Sequence, residues 1–114
     1  MNGMNRVMLI GHLGNDPELR YTKKGTAVTN LRIATNYTIK DDNSAGEPQT
    51  EWHNVVVWGK QAESCQQYLN KGRLVYAEGR ITTREWNDKE GNQKQAKDIM
   101  ASTIRFLDSH REEK

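Results

Sequence analysis

Apolar and polar residues alternate with a period of two along most of this chain, and that period predicts strands. Val7, Leu9, Gly11 and Leu13 share one face of a first strand over 7–13. Met8 and Ile10 make its other face apolar too, which predicts a strand covered on both sides. Gly14-Asn15-Asp16-Pro17 breaks it. A short strand over 18–22 and a Lys23-Lys24-Gly25 turn lead into a long strand over 26–39. There Leu31, Ile33, Thr35, Tyr37 and Ile39 share one face; Asn30, Arg32, Ala34 and Asn36 share the other. Residues 40–50 are polar, carry Gly46 and Pro48, and predict a flexible excursion. The run Glu51-Trp52-His53-Asn54-Val55-Val56-Val57-Trp58-Gly59 is rich in β-branched and aromatic residues and predicts the next strand. The period then changes once. Ala62, Cys65 and Leu69 recur at spacings of three and four, predicting a helix over 60–69, ended by Lys71-Gly72 with Gly72 at the C-cap. Strands over 73–86 and 99–107 follow, with a polar hairpin loop at 87–92.

Five strands with one helix between the third and fourth predict an all-β chain, a five-stranded Greek-key barrel of the OB-fold type. A length of 114 residues fits one domain, set here at 1–107, followed by a polar, frayed end over 108–114.

Composition adds the question of what the outer face does. The core side of the Trp52 strand takes His53, Val55 and Val57; Trp52 and Trp58, six residues apart, project from the opposite face. On the strand over 73–86, Trp86 shares a face with Arg80 and Arg84, away from Val75 and Ala77. A single tryptophan more often packs in a core or a subunit contact. Shared parity at Trp52 and Trp58, and the arginines beside Trp86, favour a face that stacks flat ligands. The formal charge of +2 is too small to signal a polyanion partner by itself. Stacking would supply what charge does not: about 1–3 kcal/mol per base, against roughly 8 kcal/mol for a micromolar complex.

Other chemistry is thin. The lone cysteine, Cys65, lies on the helix stripe and can form no intrachain disulfide, so a reducing, cytoplasmic setting is expected. No apolar run approaches membrane-spanning length. His12, His53 and His110 lack metal-ligand spacing, and no phosphate-binding loop, nucleophile elbow or HExxH motif occurs. No cofactor, no metal and no catalysis are expected.

Several segments resemble bacterial-type single-stranded DNA-binding proteins. They are Asn5-Arg6-Val7, Gly11-His12-Leu13-Gly14-Asn15-Asp16-Pro17-Glu18-Leu19-Arg20-Tyr21, Thr50-Glu51-Trp52-His53, Val57-Trp58-Gly59-Lys60, Tyr68-Leu69-Asn70-Lys71-Gly72, Val75-Tyr76-Ala77-Glu78-Gly79-Arg80 and Thr83-Arg84-Glu85-Trp86. The resemblance covers about residues 4 to 107, in order and at matching spacing. It implies a homotetramer that binds single-stranded DNA without sequence preference in replication, recombination and repair, in the cytoplasm at the nucleoid. Trp52, Trp58 and Trp86 match stacking positions; Arg6, Lys60, Lys71 and Arg84 match basic positions along the DNA; His53 matches an interface histidine. Ile39 stands where many relatives carry a further stacking tryptophan, and Tyr37, two residues earlier on the same parity, is its candidate substitute. Relatives also carry an acidic tail that recruits replication and repair proteins. Those partners are expected only if such a tail exists outside this chain, which stops at Glu112-Glu113-Lys114. An OB-fold accessory protein that docks other proteins through its tryptophans, and an RNA-binding module, remain the alternatives.

Overall fold

The computed structural model describes residues 1–40 and 46–108. The elements run β1 (Val7–Leu13), β2 (Arg20–Tyr21), β3 (Ala27–Ile39), β4 (Glu47–Trp58), α1 (Lys60–Tyr68), β5 (Leu74–Asn87) and β6 (Gln93–Phe106). The sheet order is β1-β5-β6-β4-β3-β2, and β1 also pairs with β3, so five long strands close into a barrel with β2 at its rim. This is the expected OB-fold architecture. All pairings are antiparallel except β4 with β6, which touch through Val55↔Ile99 and Val56↔Met100.

The period-two pattern explains the barrel interior. Ala27, Leu31 and Ile33 of β3, Val55 and Val57 of β4, Val75 and Ala77 of β5, and Ile99 and Ile104 of β6 are buried together. Ala62, Cys65 and Leu69 add the apolar stripe of α1 and its end. Burial pushes the Cys65 thiol up to about 11. Closure needs close backbone approach. A Cβ on Gly11 would collide with the Ala34 carbonyl, and one on Gly79 with the Met100 carbonyl. Gly79 lies at a β-bulge between Glu78 and Gly79.

Four expectations need correction. Residues 47–50 are not an excursion: they pair with 36–39, so β3 and β4 form a long hairpin arm. The excursion that remains, 41–45, lies outside the described residues. The last strand starts at Gln93 rather than 99, because Gln93–Asp98 pairs with Thr82–Asn87 in a second arm. Both faces of these arms are largely exposed, so nothing imposes apolar alternation there. Gly72 is not the helix C-cap. Leu69 is, with an extended backbone and its N–H donating to Cys65 O, while Gly72 sits in the next turn and donates to Leu13 O at 2.8 Å. Met8 and Ile10 are exposed rather than covered on the outer face of the chain.

At the C-terminal end, Asp108 is tied to the start of β5. Its carboxylate accepts from the Leu74 N–H at 2.9 Å and pairs with Arg73; the rest of the end, 109–114, lies outside the described residues. No helix among the described residues is long and apolar enough to cross a membrane.

Candidate functional site

β4 puts Val55 and Val57 inward and Trp52 and Trp58 outward. Trp52, Trp58 and Trp86 are 46%, 40% and 44% exposed. Two of the rings have a small or short partner across the sheet, whereas Trp86 lies opposite Lys94. Trp52 lies opposite Ala34 and Trp58 opposite Val28. Trp52 also lies against the backbone of Gly14: a Cβ there would come within 2.7 Å of Trp52 Cη2, and closer still to Cζ3.

The loop Gly14-Asn15-Asp16-Pro17 does more than break β1. Asn15 Nδ2 donates to Asn30 O, and Asn15 Oδ1 accepts from the Arg32 N–H, so one side chain grips the β3 backbone twice. Asp16 Oδ1 accepts from the Lys71 N–H at 2.8 Å. The loop therefore fixes β3, the ledge under Trp52, and the α1–β5 turn that carries Lys71.

A polar strip joins two of the tryptophans. The Arg32 guanidinium carbon is 4.6 Å from the Trp52 ring centroid, and Arg32 lies directly opposite Asn54. Asn54 Nδ2 donates to Asp98 Oδ1 at 2.9 Å. Asp98 also accepts from Arg84 Nε and, at 3.3 Å, from Arg84 Nη2. The Arg84 guanidinium carbon in turn lies 5.1 Å from the Trp86 ring centroid. Asp98 is only 4% exposed. The charged hydrogen bond from Arg84 outweighs the opposing effect of burial and holds its carboxyl below the usual range; Asn54 adds to this. Beside the strip lies a cleft of about 190 Å³, lined by Trp52, Asn54, Ile81, Lys97 and Asp98 among others. It opens where β4 and β6 part company beyond their two paired positions.

The sequence-derived candidates sort into groups. Trp52, Arg84 and Trp86 belong to the strip; Trp58 stands at the other end of β4, next to Lys60 at the start of α1. Lys60 and Lys71 are exposed and in no ion pair among the described residues. Arg6 pairs with Glu78 at 2.9 Å and Arg84 with Asp98, so two of the four flagged cations are already balanced. Tyr37 is exposed but pairs with Gln49 on the ribbon face opposite Trp52, and Ile39 shares that face. His53 is half-buried on the inward parity of β4, with its Nε2 2.9 Å from Thr35 Oγ1. Sequence reasoning quoted Gly14, Asn15 and Asp16 in the family motif without giving them a site role, and passed over Arg32, Asn54 and Asp98. Of those three, only Arg32 carried a signal, through its parity with Ala34 on the polar side of β3. Among the described residues no cluster of His, Cys, Asp or Glu is placed to hold a metal ion.

Comparison with known proteins points one way. A family model described as "Single-strand binding protein family" matches residues 4–107. Single-stranded DNA-binding protein 1 of Chlorobaculum tepidum is 51% identical over 106 residues, covering 92% of this chain and 65% of that protein. The single-stranded DNA-binding protein of Neisseria meningitidis serogroup A is 46% identical over 109 residues, covering 96% of this chain and 63% of that protein. The chain thus spans just under two thirds of the length of these relatives. Among solved structures, a Plasmodium falciparum SSB complex with ssDNA superposes with a TM-score of 0.85 at 32% identity, covering 95% of this chain and 98% of that one.

Proposed function

The chain belongs to the single-strand binding protein family, and from that premise we propose that it binds single-stranded DNA without sequence preference, by stacking bases on Trp52, Trp58 and Trp86. One observation carries this reading: three half-exposed indoles stand outside the barrel, two of them joined by a polar strip beside an open cleft. Each stack contributes about 1–3 kcal/mol, and every base has a face to offer, so stacking is tolerant of sequence. Trp52 and Trp58 are about 20 Å apart along β4 at roughly 3.3 Å per residue, so the ligand spans several nucleotides. Lys60 and Lys71, which have no acidic partner among the described residues, follow the phosphates. Arg6 reaches the strand only by sharing its charge with Glu78, and Arg84 supports Trp86 from its seat on Asp98. Tyr37, on the opposite ribbon face, lies off this path.

The assembly is a homotetramer in this reading. Met8 and Ile10 stand exposed on adjacent outward positions of β1, opposite Glu78 and Tyr76 of β5, and a second copy would cover them. His53 belongs to the same assembly. The protein works in the cytoplasm, in replication, recombination and repair, by holding exposed strands, and it does no chemistry on them. Replication and repair enzymes join it only if an acidic tail exists outside this chain.

Intrinsic tryptophan fluorescence titrated with oligo(dT), alongside particle mass with and without oligo(dT), tests the reading. Quenching at saturable stoichiometry on a particle of four subunits is expected. Unchanged fluorescence would refute stacking. Oligo(U) bound as tightly as oligo(dT) would favour the RNA-binding alternative, and Trp86→Ala breaking a protein complex while leaving DNA affinity intact would favour the docking one.

A further inference from the structure

The two arginine–tryptophan pairs look alike and differ electrostatically. Arg84 is bound to a buried carboxylate. Its Nε and Nη2 are committed to Asp98, so its charge is already balanced before any phosphate arrives, and removing it would uncover a buried carboxylate. Arg32 is exposed, and no acid pairs with its guanidinium among the described residues. Its neighbours on that face of the ribbon, Asn30, Ala34 and Asn54, carry no charge. The root of its side chain is nonetheless fixed: its N–H donates to Asn15 Oδ1 at 3.0 Å, and its carbonyl accepts from the Gly14 N–H at 2.8 Å. The head group lies 4.6 Å from the Trp52 centroid, held by the attraction of a cation to an aromatic ring. So this side chain is positioned at both ends, with its N–H donors open.

Resting on the single-stranded DNA reading above, we propose that Arg32 and Trp52 form one combined subsite, in which the indole stacks a base while the guanidinium takes the phosphodiester next to it. A guanidinium is planar, weakly hydrated and matched to two phosphate oxygens at once. No ion pair has to break before it engages. Arg32, and not Arg84, therefore supplies the salt-dependent part of binding on this face. The Arg84–Trp86 pair is an electrically balanced stacking post.

The test is the salt dependence of binding by the full chain to an oligo(dT) short enough to occupy one subunit. Each phosphate neutralised on a single strand contributes a log–log slope of about −0.7. Arg32→Gln should flatten the slope by about 0.7, so that its affinity deficit shrinks by about 2.6-fold between roughly 50 and 200 mM salt. Arg32→Lys keeps the charge and should keep the parental slope, with weaker binding from the lost planar contact. A parental slope in Arg32→Gln overturns the proposal, as does an equal loss of slope in both variants. Failure of the parent to bind oligo(dT) would instead remove the functional reading itself, and this proposal with it.

Discussion

Replacing Gly14 by alanine puts a methyl group where the Trp52 ring now lies. The added Cβ would stand 2.7 Å from Cη2 and closer still to Cζ3, whereas ordinary carbon contacts begin at about 3.5 Å, so the ring must withdraw by more than about 0.8 Å or swing aside. The backbone has no reason to resist. Gly14 is not among the glycines with positive φ, and the obstructing atoms belong to the outer end of a half-exposed side chain. Alanine also restricts the unfolded chain, which at a compatible site raises stability by about 0.4–1 kcal/mol. Gly14→Ala should therefore leave the melting temperature unchanged or slightly higher while weakening DNA binding. The upper limit is the whole Trp52 stack, about 1–3 kcal/mol, or roughly 5- to 160-fold in affinity. Fluorescence titration with oligo(dT) measures the loss, and a thermal melt on the same sample reports the fold. A double-mutant cycle isolates the route. In a Trp52→Ala background the Gly14→Ala change should be silent for binding, since there is no ring left to displace. Parental affinity and an unshifted tryptophan emission in Gly14→Ala would refute the reasoning. So would an undiminished effect in the Trp52→Ala background.

Trp58→Ala and Trp86→Ala should each weaken oligo(dT) binding by about 1–3 kcal/mol by the same titration, with folded circular dichroism spectra. Because the Asp98 carboxyl is held below its usual range in the fold, its contribution to stability is complete above the ordinary carboxylate value of about 3.9 and is lost as pH falls through the folded value. Denaturation midpoints measured across acid pH should show that loss, and Asp98→Asn should flatten it; an unaltered acid limb in the variant would contradict the assignment. The Cys65 thiol, pushed up to about 11 by burial, should stay unreactive to a thiol reagent near pH 8 until denaturant is added; rapid labelling of the native protein would contradict its burial. Met8→Asp should dissociate the proposed assembly, read by light scattering, while the barrel stays folded, because the side chain is exposed in the single chain; an unchanged particle mass would place the interface elsewhere.

The barrel was largely legible in the chain, because a strand with one buried face has no freedom in its pattern. Val55 and Val57 had to alternate with Trp52 and Trp58 once one side met the core. The single helix was legible for a similar reason, since Ala62, Cys65 and Leu69 must meet the barrel on one stripe. Only one strand of each hairpin arm was legible. The partner strands, Glu47–Thr50 and Gln93–Asp98, pair strand to strand with both faces largely open to water, so they did not read as strand. The pairing that orders them is a backbone property made available by neighbouring strands, and side-chain polarity does not record it.

The site divides along the same line. The sequence alone determined which indoles leave the core, because parity on a half-buried strand is a local property of residues two apart. It also marked Arg84 as Trp86's neighbour, but as a free cation. Only the tertiary structure set Asp98 of β6 against Arg84 of β5 and Asn54 of β4, cancelling that charge, and left Arg32 of β3 uncancelled over Trp52. Charge balance depends on which strands become neighbours when the sheet closes. Closure joins residues such as Asn54 and Asp98, 44 positions apart, and no local pattern carries that separation.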